Sequence, residues 1–344
     1  MKYVNPLIFA IIGDAIGAGY EFSKTTVSLD FKMINEKTGI TDDSSLTVVM
    51  ATALRECIER KFNLKNSTID IKKSFRRHLV RGINIRMKYY DRNNHKAYRF
   101  KNGGFYGGRF FNKFYGGVDG YGKDMVHPQT DSFGNGGPMR VSSIPFLFNT
   151  EEEVMEYSKL SALPSHNDEE GIKGTQAIAL CIFLARKGVP KNKIKTQIQS
   201  KFGYDLDNID KYKLIKTDSM QDETCPTTVP VVLIVALDPD IKSFEDGLRK
   251  IISFGGDTDT TAAMLCPILA ALYDVPQALI EVGEICLRLY PEYYHEYKQF
   301  GYFYDELVET GSIKFPTLSY SEVKKRNIKL KTPLSSSVLK LTKR

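Results

Sequence analysis

Apolar residues recur at helical spacing through most of this chain. From Ser44 to Arg60, the positions Leu46, Val49, Met50, Ala53, Leu54, Cys57 and Ile58 fall on one stripe. The same three-and-four spacing predicts helices over 151–163, 171–187, 227–237, 244–252, 260–273 and 277–289. Spacers such as Gly188-Val189-Pro190 and Asp274-Val275-Pro276 punctuate them, because Gly and Pro stop helices. No regular series of alternating strands appears, so an all-α, multi-helix domain is expected.

Two stretches break the pattern. Residues 102–137 are rich in Gly, Tyr and Phe, too Gly-rich for helix, and read as a long irregular loop that is either functional or disordered. After Pro316, Lys alternates with Ser, Thr and Leu, as either a disordered tail or a final short element. No repeat of solenoid period is visible and no linker precedes residue 316, so one domain is expected.

Composition narrows the class. With 344 residues, 42% hydrophobic and 26% charged, the chain can bury a globular core, which excludes a disordered, collagenous or disulfide-stapled protein. The net charge of +7 suggests nucleic acid until it is located. Eight Lys and Arg against Glu322 lie beyond residue 315, leaving 40 bases and 40 acids in residues 1–315. Within that neutral body, residues 60–113 hold 16 bases against Asp70 and Asp91. Such a stretch, interleaved with Tyr and Phe, binds phosphates or forms a solvated helical face with its aromatics inward; the second reading is preferred. The five Cys form no CxxC pair, as expected of buried reduced thiols in a cytoplasmic protein, with a nuclear location as the alternative. No run approaches the length of a membrane span. The apolar residues 7–12 behind Lys2 imitate a short leader, but Asp14 interrupts them and no processed signal is expected.

Candidate chemistry concentrates in two clusters that open predicted helices. These are Thr41-Asp42-Asp43-Ser44-Ser45 and Gly255-Gly256-Asp257-Thr258-Asp259-Thr260-Thr261. Helix capping accounts for one carboxylate per helix and leaves the others unexplained. If the two helix starts face each other, four carboxylates converge and need a cation. An oxygen-only set selects Mg²⁺, Mn²⁺ or Ca²⁺ over zinc, and four carboxylates suit two ions. Capped helices and a dimetal site are both open on these residues alone. Three further segments carry candidates: Gly13-Asp14 through Glu21, the turn Ser132-Phe133-Gly134-Asn135-Gly136-Gly137 suited to phosphate, and Ser165-His166.

In this order the segments resemble the ADP-ribosylglycohydrolase family. The matching pieces are Gly13-Asp14 with Glu21, Thr41-Asp42-Asp43-Ser44, Gly134-Asn135-Gly136-Gly137-Pro138-Met139-Arg140-Val141, Ser165-His166 and Gly255-Gly256-Asp257-Thr258-Asp259-Thr260; Ser243-Phe244-Glu245-Asp246-Gly247-Leu248 is also family-like. The resemblance spans roughly residues 5–290. It implies a compact, multi-helix orthogonal bundle with a dimagnesium centre, Mn²⁺ being the alternative ion. It assigns Thr41, Asp42, Asp43, Asp257, Asp259 and Thr260 as metal ligands, and Glu21, Asp42 and Asp43 as catalytic residues. Glu21 would activate water or protonate the leaving group, and gate the site. Ser132, Gly134, Asn135 and Gly136 would hold the diphosphate and ribose, Phe133 would stack on adenine, and His166 would lie near the diphosphate.

The implied activity is hydrolysis of the bond between ADP-ribose and an acceptor, most simply a protein side chain, with serine-type preferred to arginine-type. Poly(ADP-ribose), nucleic-acid-linked ADP-ribose and an inert ADP-ribose-binding relative are the alternatives. The expected partners are an ADP-ribosylated protein and the ADP-ribose product, with nucleic acid less favoured, no membrane, and a monomeric protein. The expected organisation is a catalytic domain over 1–315, with 60–137 as its basic, Gly- and aromatic-rich variable region, and a basic tail over 316–344.

Overall fold

The computed structural model describes residues 1–23, 27–92, 131–216, 223–332 and 334, with backbone alone for 87–92 and 213–216. These residues form thirteen α-helices and no β-strand. The first three are α1 (Leu7–Gly17), α2 (Asp42–Glu59) and α3 (Thr68–Arg92). Then come α4 (Ser143–Leu147), α5 (Glu151–Ala162), α6 (Glu169–Arg186), α7 (Lys191–Phe202) and α8 (Cys225–Leu237). The last five are α9 (Phe244–Ser253), α10 (Thr258–Leu272), α11 (Gln277–Arg288), α12 (Pro291–Glu309) and α13 (Tyr320–Arg326). Short 3₁₀ turns lie at Pro138–Arg140 and Ile209–Lys216. The all-α expectation holds, and each periodic segment is a helix with its ends moved by at most two residues.

Every residue of α1 is buried, as its apolar sequence on all sides requires of a helix at the centre of a bundle. It packs against α10, α11 and α2. Contact with α10 is close enough to demand glycine: a Cβ on Gly13 would lie 2.1 Å from the Ala262 carbonyl oxygen, and one on Gly17 2.3 Å from that of Thr258. Around this pair α2 meets α3 and α12, while α6 meets α5, α7, α8 and α10.

Helices α1, α3, α4, α7, α12 and α13 lie outside the segments predicted from periodicity. In α12 the buried Tyr293, Tyr297, Phe300 and Tyr304 are spaced as a stripe, but aromatic and charged neighbours obscure it. In α3 the bases obscure a stripe of Ile71, Phe75, Leu79 and Ile83, all buried. Each such side chain contributes roughly 1.5–3 kcal/mol. Three basic residues of α3 turn to acids of the bundle: Arg77 and His78 to Glu56, and Arg81 to Glu296. Burial would raise the Glu56 carboxyl, but hydrogen bonds from His78, Arg77 and Ser74 outweigh it and hold it at about 2. These three side chains are thus engaged within the bundle. Residues 93–130, including most of the Gly- and aromatic-rich loop, lie outside the described residues. All five cysteines are buried and free.

Beyond residue 315 the chain returns to the N-terminus. Val4 N–H donates to the Leu318 carbonyl at 2.8 Å, and Tyr320 N–H donates to that of Lys2 at 3.0 Å. Helix α13 follows, opened by a reciprocal Ser319–Glu322 capping box. Residues 335–344, with three of the tail's bases, lie outside the described residues.

The α1–α10 contact sets a prediction for chemical denaturation. Gly17→Ala should cost at least about 2 kcal/mol, because backbone and not a mobile side chain blocks the new methyl group. Gly39→Ala, whose nearest neighbour would be 4.0 Å away, should cost less than about 1 kcal/mol.

Candidate active site

The two carboxylate clusters do face each other, across the end of α1. Asp14, buried within that apolar helix, has a carboxylate that must be satisfied internally. It accepts hydrogen bonds from Thr41 N–H (2.9 Å), Thr41 Oγ1 (2.7 Å), Ser44 N–H (2.9 Å) and Ser44 Oγ. These are orphan donors of the first turn of α2, so one carboxylate fixes that helix end. The α10 start is fixed by Gly255 and Gly256, both left-handed, and by Thr258 Oγ1 donating to the Gly17 carbonyl at 2.8 Å.

Capping does not consume the remaining carboxylates. Thr41 supplies the cap of α2, accepting from Asp43 N–H at 3.3 Å. Asp257 occupies the N-cap position of α10 without making a side-chain cap bond; its Oδ2 instead accepts from Asn135 Nδ2 at 2.6 Å. Asp43 Oδ2 accepts from Thr260 Oγ1 at 3.2 Å, while its Oδ1 is buried with no hydrogen-bond partner. Oxygens of Asp14, Asp43 and Asp259 lie within 4.8 Å of one another. Asp14 is engaged by four donors, so its role is to hold the cluster together. Asp42 is more open than Asp43.

Burial pushes the carboxyls of Asp42, Asp43 and Asp259 well above the usual range. Neighbouring acids push the same way: Asp14 and Asp257 on Asp42, Asp14, Asp42 and Asp257 on Asp43, and Asp257, Asp43 and Glu21 on Asp259. Arg86 opposes the rise at Asp42. Glu21, half-buried in the turn after α1, therefore belongs electrostatically to the cluster. Phe22 N–H anchors this turn on the Gly256 carbonyl at 2.9 Å.

The turn over residues 132–137 forms the adjoining wall. Asn135 N–H donates to the Glu223 carbonyl and Cys225 N–H to that of Phe133, both at 2.8 Å, so the start of α8 pins it. The Phe133 side chain is 40% exposed, leaving a ring face available. Below it, Arg140 is fully buried and donates to the Gly136 carbonyl (2.7 Å), the Ser161 carbonyl (3.2 Å) and Ser165 Oγ. Arg140 carries donors only, so Ser165 Oγ accepts from it, and His166 Nδ1, at 2.7 Å, is the acceptor within reach of the Ser165 hydrogen. The ring proton then resides on Nε2, facing Gly134 and Gly136; a Cβ on Gly136 would lie 2.9 Å from that nitrogen. Burial, reinforced by the Arg140 charge, holds His166 well below the usual histidine range.

The residues expected at the site thus fall into one neighbourhood: Thr41, Asp42, Asp43, Asp257, Asp259 and Thr260 at the two helix starts, Glu21 beside them, and Ser132, Phe133, Gly134, Asn135, Gly136 and His166 along the turn. Sequence reasoning gave no role to Asp14, Arg140 or Ser165. The available signal was a carboxylate inside the apolar run over residues 7–16. A separate cavity of about 610 Å³, lined by Phe146, Tyr273 and Phe315 among others, includes none of these carboxylates.

Comparison with known proteins decides the family, since the ADP-ribosylglycohydrolase model matches residues 3–292. This chain belongs to the ADP-ribosylglycohydrolase family. It is 27% identical to the ADP-ribosylhydrolase ARH3 of Gallus gallus over 187 residues, covering 42% of this chain and 51% of that protein. It is also 27% identical to the Homo sapiens ADP-ribosylhydrolase ARH3 over 187 residues, covering 42% and 52%. The chain therefore spans about half the length of the curated relatives it matches. A solved structure described as an ADP-ribosylglycohydrolase-related protein complex superposes with a TM-score of 0.59 at 19% identity, covering 86% of this chain and 95% of that one. That similarity establishes the ADP-ribosylglycohydrolase fold. Among the described residues, no helix is long and apolar enough to cross a membrane.

Two measurements test the scaffold of this site. Asp14→Asn should cost about 3 kcal/mol in urea denaturation, because the amide turns donors toward donors. His166 should remain neutral, protonated on Nε2, at pH 6, readable in its ¹⁵N shifts. An unfolded histidine binds a proton near pH 6.5 and the folded one does not, so its contribution to stability falls as pH drops below about 6.5.

Proposed function

We propose that this protein is an ADP-ribosyl hydrolase that works with two divalent cations, Mg²⁺ or Mn²⁺, and releases ADP-ribose from a modified protein side chain. The observation that carries the reading is the buried, unpartnered Asp43 Oδ1 among converging carboxylates of which Asp257 is not spent on capping. Such a set is stable at neutral pH when cations replace the missing donors, and its oxygen-only chemistry fits hard ions. Thr41, Asp42, Asp43, Asp257, Asp259 and Thr260 would hold them. When bound, the ions supply Lewis-acid polarisation of a water and of ribose hydroxyls.

The protein side chains provide the rest. Asn135 keeps Asp257 turned toward the cluster. Glu21, at the half-buried rim, exchanges a proton with water or with the departing acceptor oxygen. His166 Nε2–H offers a donor, matched to the acceptor oxygens of a diphosphate and useless to a cation. Phe133 offers its ring to a base. A serine-type linkage is the preferred acceptor, supported by the run from Gly134 to Val141, which resembles that branch of the family.

Asp257→Asn and Asp42→Asn should each lower turnover by at least about a thousandfold while helical circular dichroism persists. Adding Mg²⁺ to chelator-dialysed wild type should raise the melting temperature, and should do so less in Asp257→Asn. Full turnover of either variant in EDTA defeats the metal reading. Release of ADP-ribose from Ser-, Arg-, Cys- and nucleobase-linked substrates assigns the acceptor.

A further inference from the structure

The family-like segment from Ser243 to Leu248 has no part in the chemistry above, yet its buried acid joins the C-terminal segment to the loop that carries Glu21. Glu245 and Arg249 lie one turn apart on α9, with side chains only 4% and 8% exposed, and Arg249 Nε donates to Glu245 Oε1 at 2.7 Å. The guanidinium reaches across to the chain between α1 and α2. Its Nη1 donates to the carbonyls of Leu29 and Phe31, both at 2.9 Å, and its Cζ lies 5.2 Å from the Phe31 ring centroid. Phe31 in turn packs on Tyr20, ring centroids 4.7 Å apart, and Tyr20 OH donates to the Lys32 carbonyl at 2.6 Å. Tyr20 adjoins Glu21.

On its other oxygen, Glu245 accepts the backbone N–H of Lys331 at 2.7 Å. Lys331 lies beyond the family-matched residues, which end at 292. Its Nζ makes a separate, exposed pair with Asp246. The buried carboxylate is thus shared between a cation that grips the loop and an amide of the C-terminal segment. Removing either donor unbalances it.

We propose that Arg249 and the Lys331 amide form a positioning link, through Glu245, that holds the loop over residues 27–34 and so sets the placement of Glu21. The consequence for turnover rests on the function proposed above; the link itself does not. Hydrogen exchange of the full-length protein without ligand tests it. Arg249→Met should exchange the amides of residues 27–34 about tenfold faster, with those of α10 unchanged. Lys331→Pro, which lacks the N–H, should act in the same direction. Lys331→Met keeps that N–H, loses only the pair with Asp246, and should match wild type. On an ADP-ribosylated protein, Lys331→Pro should lower kcat about fivefold with KM within about twofold.

Unchanged exchange over 27–34 in both Arg249→Met and Lys331→Pro overturns the link. So does equal behaviour of Lys331→Pro and Lys331→Met, or a loss of protection spread evenly through α10, which marks a general structural role. If Arg249→Met does not fold, the two Lys331 variants decide. A wild type that releases no ADP-ribose defeats the function proposed above while leaving the exchange result to judge the link.

Discussion

The carboxylate of Asp14 is the constraint on which the site depends. It sits in the last turn of a helix buried on all sides, where an unsatisfied charge would cost several kcal/mol. The first turn of α2 has donors that no intrahelical acceptor can take. Each solves the other's problem, with Thr41 and Ser44 supplying backbone and hydroxyl donors to one carboxylate. The energetic requirement of one residue thereby fixes where Asp42 and Asp43 stand.

The second half of the site is placed by steric fit. Gly13 and Gly17 let α10 approach the backbone of α1, and the left-handed Gly255 and Gly256 turn the chain so that α10 begins there. Because α1 carries both devices, the two acidic helix starts cannot separate without disrupting the centre of the bundle. Repulsion among the acids is held against this rigid frame. The turn over residues 132–137 follows the same logic. Arg140, buried beneath the turn, fixes the Gly136 carbonyl and, through Ser165, the proton of His166.

Much of the fold was legible because amphipathic helices write their buried face into the spacing of Leu, Ile and Val. Helices α9 and α11 obey that rule most clearly, whereas α8 and α10 are buried on nearly every side. Helix α1 does not, since a helix buried all round has no polar face to give a period. Helix α3 hides its stripe behind bases that Glu56 and Glu296 neutralise from other helices, and no local pattern reveals such partners. The site was legible as residue types: adjacent carboxylates at helix starts, a Gly-rich turn, a Ser-His pair. It was not legible as a division of labour, because Asp14, Arg140 and Ser165 act through contacts with segments distant in the chain.

The sequence by itself determined the helical class and which side chains can offer hard oxygen donors, which follow from periodicity and residue chemistry, and the family, which follows from the order of its short motifs. Only the tertiary structure decided that the two clusters meet, that Asp257 is turned to Asn135 and not spent on its own helix, and that Asp43 keeps a buried oxygen without a donor. It alone decided, too, that Lys331 and Arg249 share Glu245. The reason is physical: spacing dictates which face of a helix is apolar, whereas the pairing of buried polar atoms depends on which faces are brought together, and packing settles that across the whole chain.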